Sequence, residues 1–298
     1  MCVRTSIPHT LSKDDGRRFK FRCSHHCRHT QLGRVIGRQK FKLFGVIRYW
    51  TRDLLTNLFI PIFERLLPDG VEFGSNLLVE FEPDSAWYEA SLTITAQALR
   101  NDHKALYHTF QHPPADIEHD LRKFGLDLAK LQDDGLFRIV DSLTVQMGGL
   151  NPVEQEDPVA KSLKIPDLSI NHAQFVKKGR EKGIPEGEKW WVHVDDNTAI
   201  MTRYNAEINV LDFWRTRHIP FSRPLQNVTI YSILKGTVSE TFRSQFETIN
   251  DGIIDFKCED KEGEITQLVR IRRMRGKKFD SRWQRLNVSE TGEVTIVQ

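Results

Sequence analysis

Short apolar runs alternate with amphipathic stretches from Gly74 onward. The first run, NLLVEF at Asn76–Phe81, predicts a buried strand because four of its six residues are apolar. A tight turn is predicted at Glu82–Trp87, and a helix at Ala90–Asn101. The rest of the chain is organised around this strand–turn–helix unit.

The same reading divides the remaining chain into strands, helices and hairpins. Strands are predicted at Ala105–Phe110, Leu136–Val140, Trp190–Val194 and Val228–Leu234. Helices are predicted at Pro114–Phe124, Ile208–Arg217 and Ser239–Asn250. Antiparallel strands are predicted at Ile253–Cys258, Ile265–Arg273, 282–288 and 293–297, the first two joined by a turn at Asp260–Gly263. This order predicts an α/β fold with a mainly parallel sheet flanked by helices and with C-terminal antiparallel hairpins.

Three segments differ in composition from this 71–298 domain. Residues 145–188 are polar, contain four prolines and predict a surface insertion with one helix at Ala173–Lys182. Residues 41–70 predict an amphipathic helical segment broken near Pro61. A helix docked on the domain or on a neighbouring subunit is favoured there over a membrane-surface helix.

Residues 1–40 hold the basic character of the chain. They carry ten Lys or Arg against two Asp, whereas the remaining residues are net acidic within a total charge of +3. Without apolar periodicity they predict a disordered leader, or an extension upstream of the natural start. Such a tail could bind nucleic acid or an anionic membrane, or it could only improve solubility. Solubility is favoured because no clustered basic groove accompanies the tail.

The cysteines do not predict a disulfide framework, because Cys258 lies far from the other three. A reducing, cytoplasmic setting is expected, and the first residues lack the apolar segment of a secretory signal. Cys23 and Cys27, with three histidines between and after them, suggest a metal cluster. Zinc sites normally use two separated ligand pairs, so a basic leader without metal is favoured. The sequence contains no GxSxG motif, so a serine hydrolase is not predicted.

The predicted turn stands where a GxxxxGK[ST] phosphate loop would lie, between a strand and a helix. Phe81 and Ala86 occupy the two glycine positions, Trp87 the lysine position and Tyr88 the hydroxyl position. Glycine lets backbone amides reach the phosphates, and lysine supplies charge. The degenerate loop comprises Phe81, Pro83, Asp84, Ser85, Ala86, Trp87 and Tyr88. We predict a nucleotide-binding fold that has lost its nucleotide.

Six sequence pieces in order carry a family resemblance. They are FERLLPDGVEFGS at Phe63–Ser75, ALYHTF at Ala105–Phe110, FGLDL at Phe124–Leu128, DGLFRIVD at Asp134–Asp141, NDGIID at Asn250–Asp255 and RMRG at Arg273–Gly276. From about 63 to 288 the chain resembles the KaiC-like branch of the RecA-fold ATPases. The resemblance implies a RecA-like P-loop NTPase fold and an oligomer, with itself or with a KaiC/RecA-like paralogue.

The resemblance also assigns positions to the catalytic groups. The paired glutamates that activate water in the family fall on Gln111 and His112, of which only His112 could act as a base. The Mg²⁺-holding aspartate falls on Asp195, next to Asp196. The alternative for both aspartates is that they cap the following turn, and it is favoured.

Arg273 and Arg275 match a basic pair that reaches a neighbouring subunit's nucleotide in the family. Two alternatives stay open. The arginines and lysines at 270–278 form a solvated edge strand, or they bind a phosphate backbone.

These observations lead to a hypothesis and two alternatives. We expect a non-catalytic pseudo-ATPase, without a cofactor, that is a regulatory or structural subunit and donates arginines to a partner ATPase. The first alternative is an atypical ATPase that uses ATP and Mg²⁺, with His112 as base. The second is a nucleic-acid-binding RecA paralogue. A membrane partner is not expected.

Overall fold

The structure, a computed structural model, describes residues 57–146, 191–223 and 225–297. The strands are β1 Asn57–Leu58, β2 Val71–Glu72, β3 Asn76–Phe81, β4 Lys104–Thr109, β5 Phe137–Asp141, β6 Trp191–Asp195, β7 Val228–Leu234, β8 Gly252–Lys261, β9 Glu264–Met274, β10 Gln284–Val288 and β11 Val294–Ile296. The α-helices are α1 Trp87–Arg100, α2 Pro114–Lys123, α3 Leu128–Asp133, α4 Leu143–Gln146, α5 Glu207–Phe213, α6 Ile219–Ser222 and α7 Glu240–Ile249.

Strands β3 to β11 form one sheet in the order β11-β10-β9-β8-β3-β7-β6-β4-β5. The strands from β8 to β5 in this order are parallel, and the pairs β8–β9, β9–β10 and β10–β11 are antiparallel. The predicted α/β class, with a mainly parallel sheet and antiparallel C-terminal strands, is therefore confirmed. β1 and β2 form a separate antiparallel pair.

The sheet has a different core on each face, because successive side chains of a strand point to opposite sides. Val79 and Val194 share one core with α1. Leu78 and Tyr231 share the other core with Trp214, which lies beyond α5. By the same alternation, the residues on either side of Val194 in β6 point toward the second core.

Helix α1 differs in extent from the prediction, and helix α3 is an addition to it. α1 begins at Trp87, three residues before the predicted start, so the turn at Glu82–Ala86 is shorter than expected. α3 was not predicted because it has only six residues. Its start is fixed by Asp127, whose side chain accepts a hydrogen bond from the Lys130 amide at 3.2 Å.

The predicted helix at Ile208–Arg217 continues through a π-helical turn, Trp214–His218, into α6. At this turn the Ile219 amide donates to the Trp214 carbonyl, five residues back. Pro220 follows, and proline has no amide hydrogen and clashes with the carbonyl four residues back. The widened turn accommodates the proline without ending the helix.

The predicted amphipathic helix is wrong over its described part. Residues 57–63 form β1 and a 3-10 helix at Pro61–Phe63, with Pro61 opening the short turn. Residues 41–56 of that segment, the 1–40 leader and most of the 145–188 insertion lie outside the described residues. Among the residues described, no helix combines the length and the apolar character that crossing a bilayer requires.

Candidate functional site

The turn at Glu82–Ala86 joins β3 to α1, at the place predicted for a phosphate loop. Ser85 closes it, because its amide at 3.1 Å and its hydroxyl at 2.7 Å both donate to the Glu82 carbonyl. None of the described residues from Glu82 to Tyr88 has a positive φ. The backbone therefore lacks the left-handed residues with which glycine opens an anion-binding nest.

Gln267 of β9 holds the turn from the neighbouring hairpin. Its Nε2 donates to the Asp84 carbonyl at 3.0 Å, and its Oε1 accepts from the Ala86 amide at 2.8 Å. The Ala86 amide lies at the N-terminus of α1, where a free N–H would attract an anion. Here that donor is bonded within the protein.

Trp87 is 2% exposed and lies directly behind the turn. Its ring lies against those of Phe81 and Phe256, with centroids 6.2 and 5.3 Å away. Its Nε1 donates to the Asp196 carbonyl at 3.1 Å. The indole therefore connects the first turn of α1 with the residue that follows β6.

Tyr88, the next residue of α1, contacts Asp120 and His112. Its hydroxyl donates to Asp120 Oδ2 at 2.9 Å, and its ring stacks on His112 with centroids 4.1 Å apart. Burial and the bond to Asp120 raise the pKa of Tyr88 far above its usual value. The side chain is therefore a fixed neutral phenol that covers His112.

Asp196 organises the loop after β4. Its carboxylate accepts from the Phe110 amide at 2.7 Å, from the Gln111 amide at 3.2 Å and from the Thr109 hydroxyl at 3.0 Å. His112 Nδ1 lies 3.2 Å from the same carboxylate. Asp196 thus supports the loop that carries Gln111 and His112, a role the sequence could not show because the partners are over 80 residues away.

Asp195 is buried on the sheet face away from α1. Its carboxylate lies 2.8 Å from His193 Nε2 and 3.4 Å from His108 Nδ1, and it accepts from the Thr198 hydroxyl at 3.1 Å. Burial opposes ionisation, but the two histidines outweigh it and hold the pKa of Asp195 well below its usual range. The bond from Thr198 joins two side chains, and the two histidine contacts were not predicted.

Gln111 and Asn197 border a small open cleft of about 50 Å³. The cleft lies beyond the carboxyl ends of β4, β6 and β7, where ligands of open α/β sheets usually bind. Arg203 and Thr237 line its other side. Gln111 therefore has access to solvent at this edge, while His112 is held by Tyr88 and Asp196.

The two candidate trans-acting arginines differ. Arg273 donates to the Glu247 carbonyl and, at 2.9 Å, to the Asn250 carbonyl, so it caps the C-terminal end of α7. Arg275 pairs with Asp251 at 3.0 Å, and its side chain is 60% exposed. Of the two, only Arg275 has its guanidinium largely in solvent.

Comparison with known proteins agrees with this architecture. No family model matches the chain. A UPF0273 protein of Aeropyrum pernix is 24% identical over 240 residues, which are 78% of this chain and 90% of the relative. The crystal structure of a KaiC-like protein from Pyrococcus horikoshii aligns with a TM-score of 0.60 and 17% identity, over 82% of this chain and 98% of that one.

The chain has a KaiC-like RecA fold. The predicted fold is confirmed, and the turn at Glu82–Ala86 lies between the first parallel strand of that fold and its following helix. The strand that ends in Asp195 is separated from β3 by β7. Within the KaiC-like fold, the loop, Gln111 and His112 all follow carboxyl ends of parallel strands.

The charge network around Arg270 and Arg272, for which a solvated edge strand was one of the alternatives, is partly buried. Arg272 lies 3.0 Å from both Glu80 and Glu247, and Arg270 lies 2.8 Å from Asp255. Burial and the hydrogen bond to Glu247 raise the pKa of Glu80 to about 7. The sequence signal for this network was Glu80, a charged residue inside the mostly apolar run NLLVEF.

Proposed function

We propose that the chain is a non-catalytic KaiC-like protein, a regulatory or structural subunit of an oligomeric assembly that neither binds nor hydrolyses ATP. The observation that carries the proposal is Trp87. It stands at the position of the phosphate-binding lysine, it is 2% exposed, and its Nε1 is bonded to the Asp196 carbonyl.

The free energies of packing and of ligand binding support a closed loop. Removing a buried tryptophan from its packing costs about 3–5 kcal/mol, and its hydrogen bond contributes about 1 kcal/mol more. Micromolar binding of a ligand corresponds to about 8 kcal/mol. Displacing Trp87 would therefore cancel at least half of such a binding energy. The lysine and glycine contacts that provide that energy in phosphate loops have no counterpart at Ala86 or Trp87.

The positions expected to activate water support the same proposal. Gln111 is exposed but has no basic group. His112 is engaged by Asp196 at 3.2 Å and covered by the ring of Tyr88. Asp195, the expected Mg²⁺ ligand, has its carboxylate against two histidines on the face away from α1.

The assembly role rests on the arginine pair. A protein with a closed site of its own can still supply a cation to a neighbour's nucleotide. Arg275 suits that role because its side chain is 60% exposed, whereas Arg273 caps α7. We therefore assign the trans-acting role to Arg275, with a second copy or a KaiC-like paralogue as the partner.

Steady-state hydrolysis of ATP with Mg²⁺ tests the proposal. We expect the rate of the purified full chain to equal the rates of His112→Ala and Asp195→Asn, because any residual turnover then comes from a contaminant. A rate that both substitutions abolish would overturn the proposal and establish the alternative, an atypical ATPase with His112 as base.

A further inference from the structure

Three potential metal ligands meet on the sheet face away from α1. In the parallel register of β4 and β6, His108 lies opposite Asp195. His193 precedes Asp195 by two residues, so all three side chains point to the same face. One ligand atom from each residue lies within 4.8 Å of the other two. Asp195 is also the expected Mg²⁺ ligand, but the inference rests on the contacts of these three residues and not on the closed phosphate loop.

The central oxygen of this cluster lacks a directed hydrogen bond. Asp195 Oδ1 is 2.8 Å from His193 Nε2 and 3.4 Å from His108 Nδ1. Within the described part of the chain, neither Asp195 Oδ1 nor His193 Nε2 makes a hydrogen bond of acceptable geometry, although both are buried. Buried polar atoms nearly always have partners. Three polar side chains that converge in a buried site without a directed hydrogen bond at Asp195 Oδ1 or His193 Nε2 form an arrangement that a cation would complete.

Hydrogen bonds with Ser142 and Thr198 orient His108 and Asp195 toward the centre of the cluster. His108 Nε2 lies 2.6 Å from the hydroxyl of buried Ser142. When the ring donates to this hydroxyl, the lone pair of Nδ1 is left facing Asp195. Thr198 donates to Asp195 Oδ2 at 3.1 Å and leaves Oδ1 for the histidines. Histidine ligands of metals are normally fixed by such a second hydrogen bond.

We infer that His108 Nδ1, His193 Nε2 and Asp195 Oδ1 bind a divalent transition-metal ion, with Zn²⁺ the first candidate. Bonds of about 2.0–2.1 Å to a tetrahedral ion separate its ligands by about 3.3 Å, between the two distances observed here. Two imidazoles and one carboxylate suit Zn²⁺, Fe²⁺ or Co²⁺, whereas Mg²⁺ prefers oxygen ligands. The His193 side chain is 18% exposed, which leaves a path for the ion.

Cobalt titration of the full chain tests the site. Cys23 and Cys27 of the leader are first changed to serine, because thiolates would compete for the ion. We expect one Co²⁺ per chain, displaced by Zn²⁺, with visible d–d bands and no thiolate charge-transfer band. His193→Gln and Asp195→Asn should abolish this binding, and Ser142→Ala should weaken it about 10–100-fold. The control His119→Gln changes an exposed histidine of α2 and should leave it intact.

Two results would overturn the inference. The first is a failure of the protein with an unaltered cluster to bind Co²⁺ stoichiometrically. The cluster would then be a buried ion pair of Asp195 with protonated histidines. The other is unchanged binding in His193→Gln, which would place the ion elsewhere. If the variants do not fold, X-ray absorption of the Co²⁺-loaded protein decides: two imidazoles in the coordination shell support the site, and their absence refutes it.

Discussion

At the residue scale, the contacts of Trp87 combine packing and a hydrogen bond, and substitutions separate the two. Trp87→Ala leaves a cavity between Phe81 and Phe256, so we expect a loss of about 3–5 kcal/mol in the free energy of unfolding. Trp87→Phe keeps an aromatic ring but leaves the Asp196 carbonyl without its donor, so a smaller loss of about 1–3 kcal/mol is expected. Urea denaturation measures both. Equal losses would contradict the role given to the indole N–H.

Glu80 makes the stability depend on pH. Burial, with the Glu247 hydrogen bond, raises its pKa from 4.5 to about 7. Between these values the folded protein binds more protons than the unfolded chain, so the free energy of unfolding falls as the pH rises from about 4.5 through 7. The shift corresponds to about 3 kcal/mol.

Urea denaturation between pH 5 and 8 measures this dependence against matched variants. Glu80→Gln removes the titrating group, so its stability should fall less steeply over the same pH range than that of the unaltered chain. Glu72→Gln changes an exposed glutamate of β2 and should follow the unaltered chain. Identical slopes for the Glu80 variant and the unaltered chain would contradict the assignment.

Sequence alone identifies the residues at the phosphate-loop positions but not their contacts. The spacing predicts Trp87 at the lysine position of a phosphate loop. The bond from Trp87 to Asp196 and the bonds from Gln267 to the loop join residues more than 100 positions apart. Such pairings depend on strand order and register, and hydrophobic periodicity does not determine either one.

At the element scale, the loop depends on the neighbouring hairpin. Gln267→Leu removes both bonds to the loop, so we expect local opening to become easier by about 1–2 kcal/mol and the Ala86 amide to exchange roughly 5–30-fold faster. Gln267→Glu keeps an acceptor for the Ala86 amide and should show a smaller change. Hydrogen exchange followed by mass spectrometry measures the effect. Unchanged protection in Gln267→Leu would show that the loop is closed by other contacts.

The parallel strands were predicted within one or two residues because each is a compact apolar run between polar turns. The helix through Pro220 was predicted too short, since proline normally ends a helix and the π turn that accommodates it has no clear sequence signal. Strands β8 and β9 extend beyond the predicted ranges to Lys261 and Glu264, because hairpin pairing continues into polar residues. Tertiary pairing, rather than local preference, sets those ends.

At the scale of the whole molecule, the order of strands and helices predicted the α/β class, and the resemblance of six sequence pieces predicted the KaiC-like RecA fold, which aligns with a solved structure at 17% identity. Asp195 was predicted as a Mg²⁺ ligand, but its meeting with His108 and His193 was not predicted. His108 and His193 lie 85 positions apart and meet only because β4 and β6 are neighbours in the sheet. A histidine alternating with apolar residues in WWVHV was the available signal.

Assembly gives a further prediction at this scale. If Arg275 contacts a neighbouring subunit, Arg275→Glu should shift sedimentation toward smaller species, because the reversed charge repels the surface that accepted the arginine. Arg282→Glu is a matched control on an 82% exposed side chain that pairs with Asp280. An equal shift in both variants, or none in Arg275→Glu, would remove Arg275 from the interface.

Calorimetric titration of ATP and ADP with Mg²⁺ into the full chain tests the closed loop most directly. We predict no saturable heat up to millimolar nucleotide, because Trp87 is buried and bonded to the Asp196 carbonyl and the Ala86 amide is bonded to Gln267. A saturable isotherm with a dissociation constant in the micromolar range would contradict the account, since it would require the buried indole to leave its site.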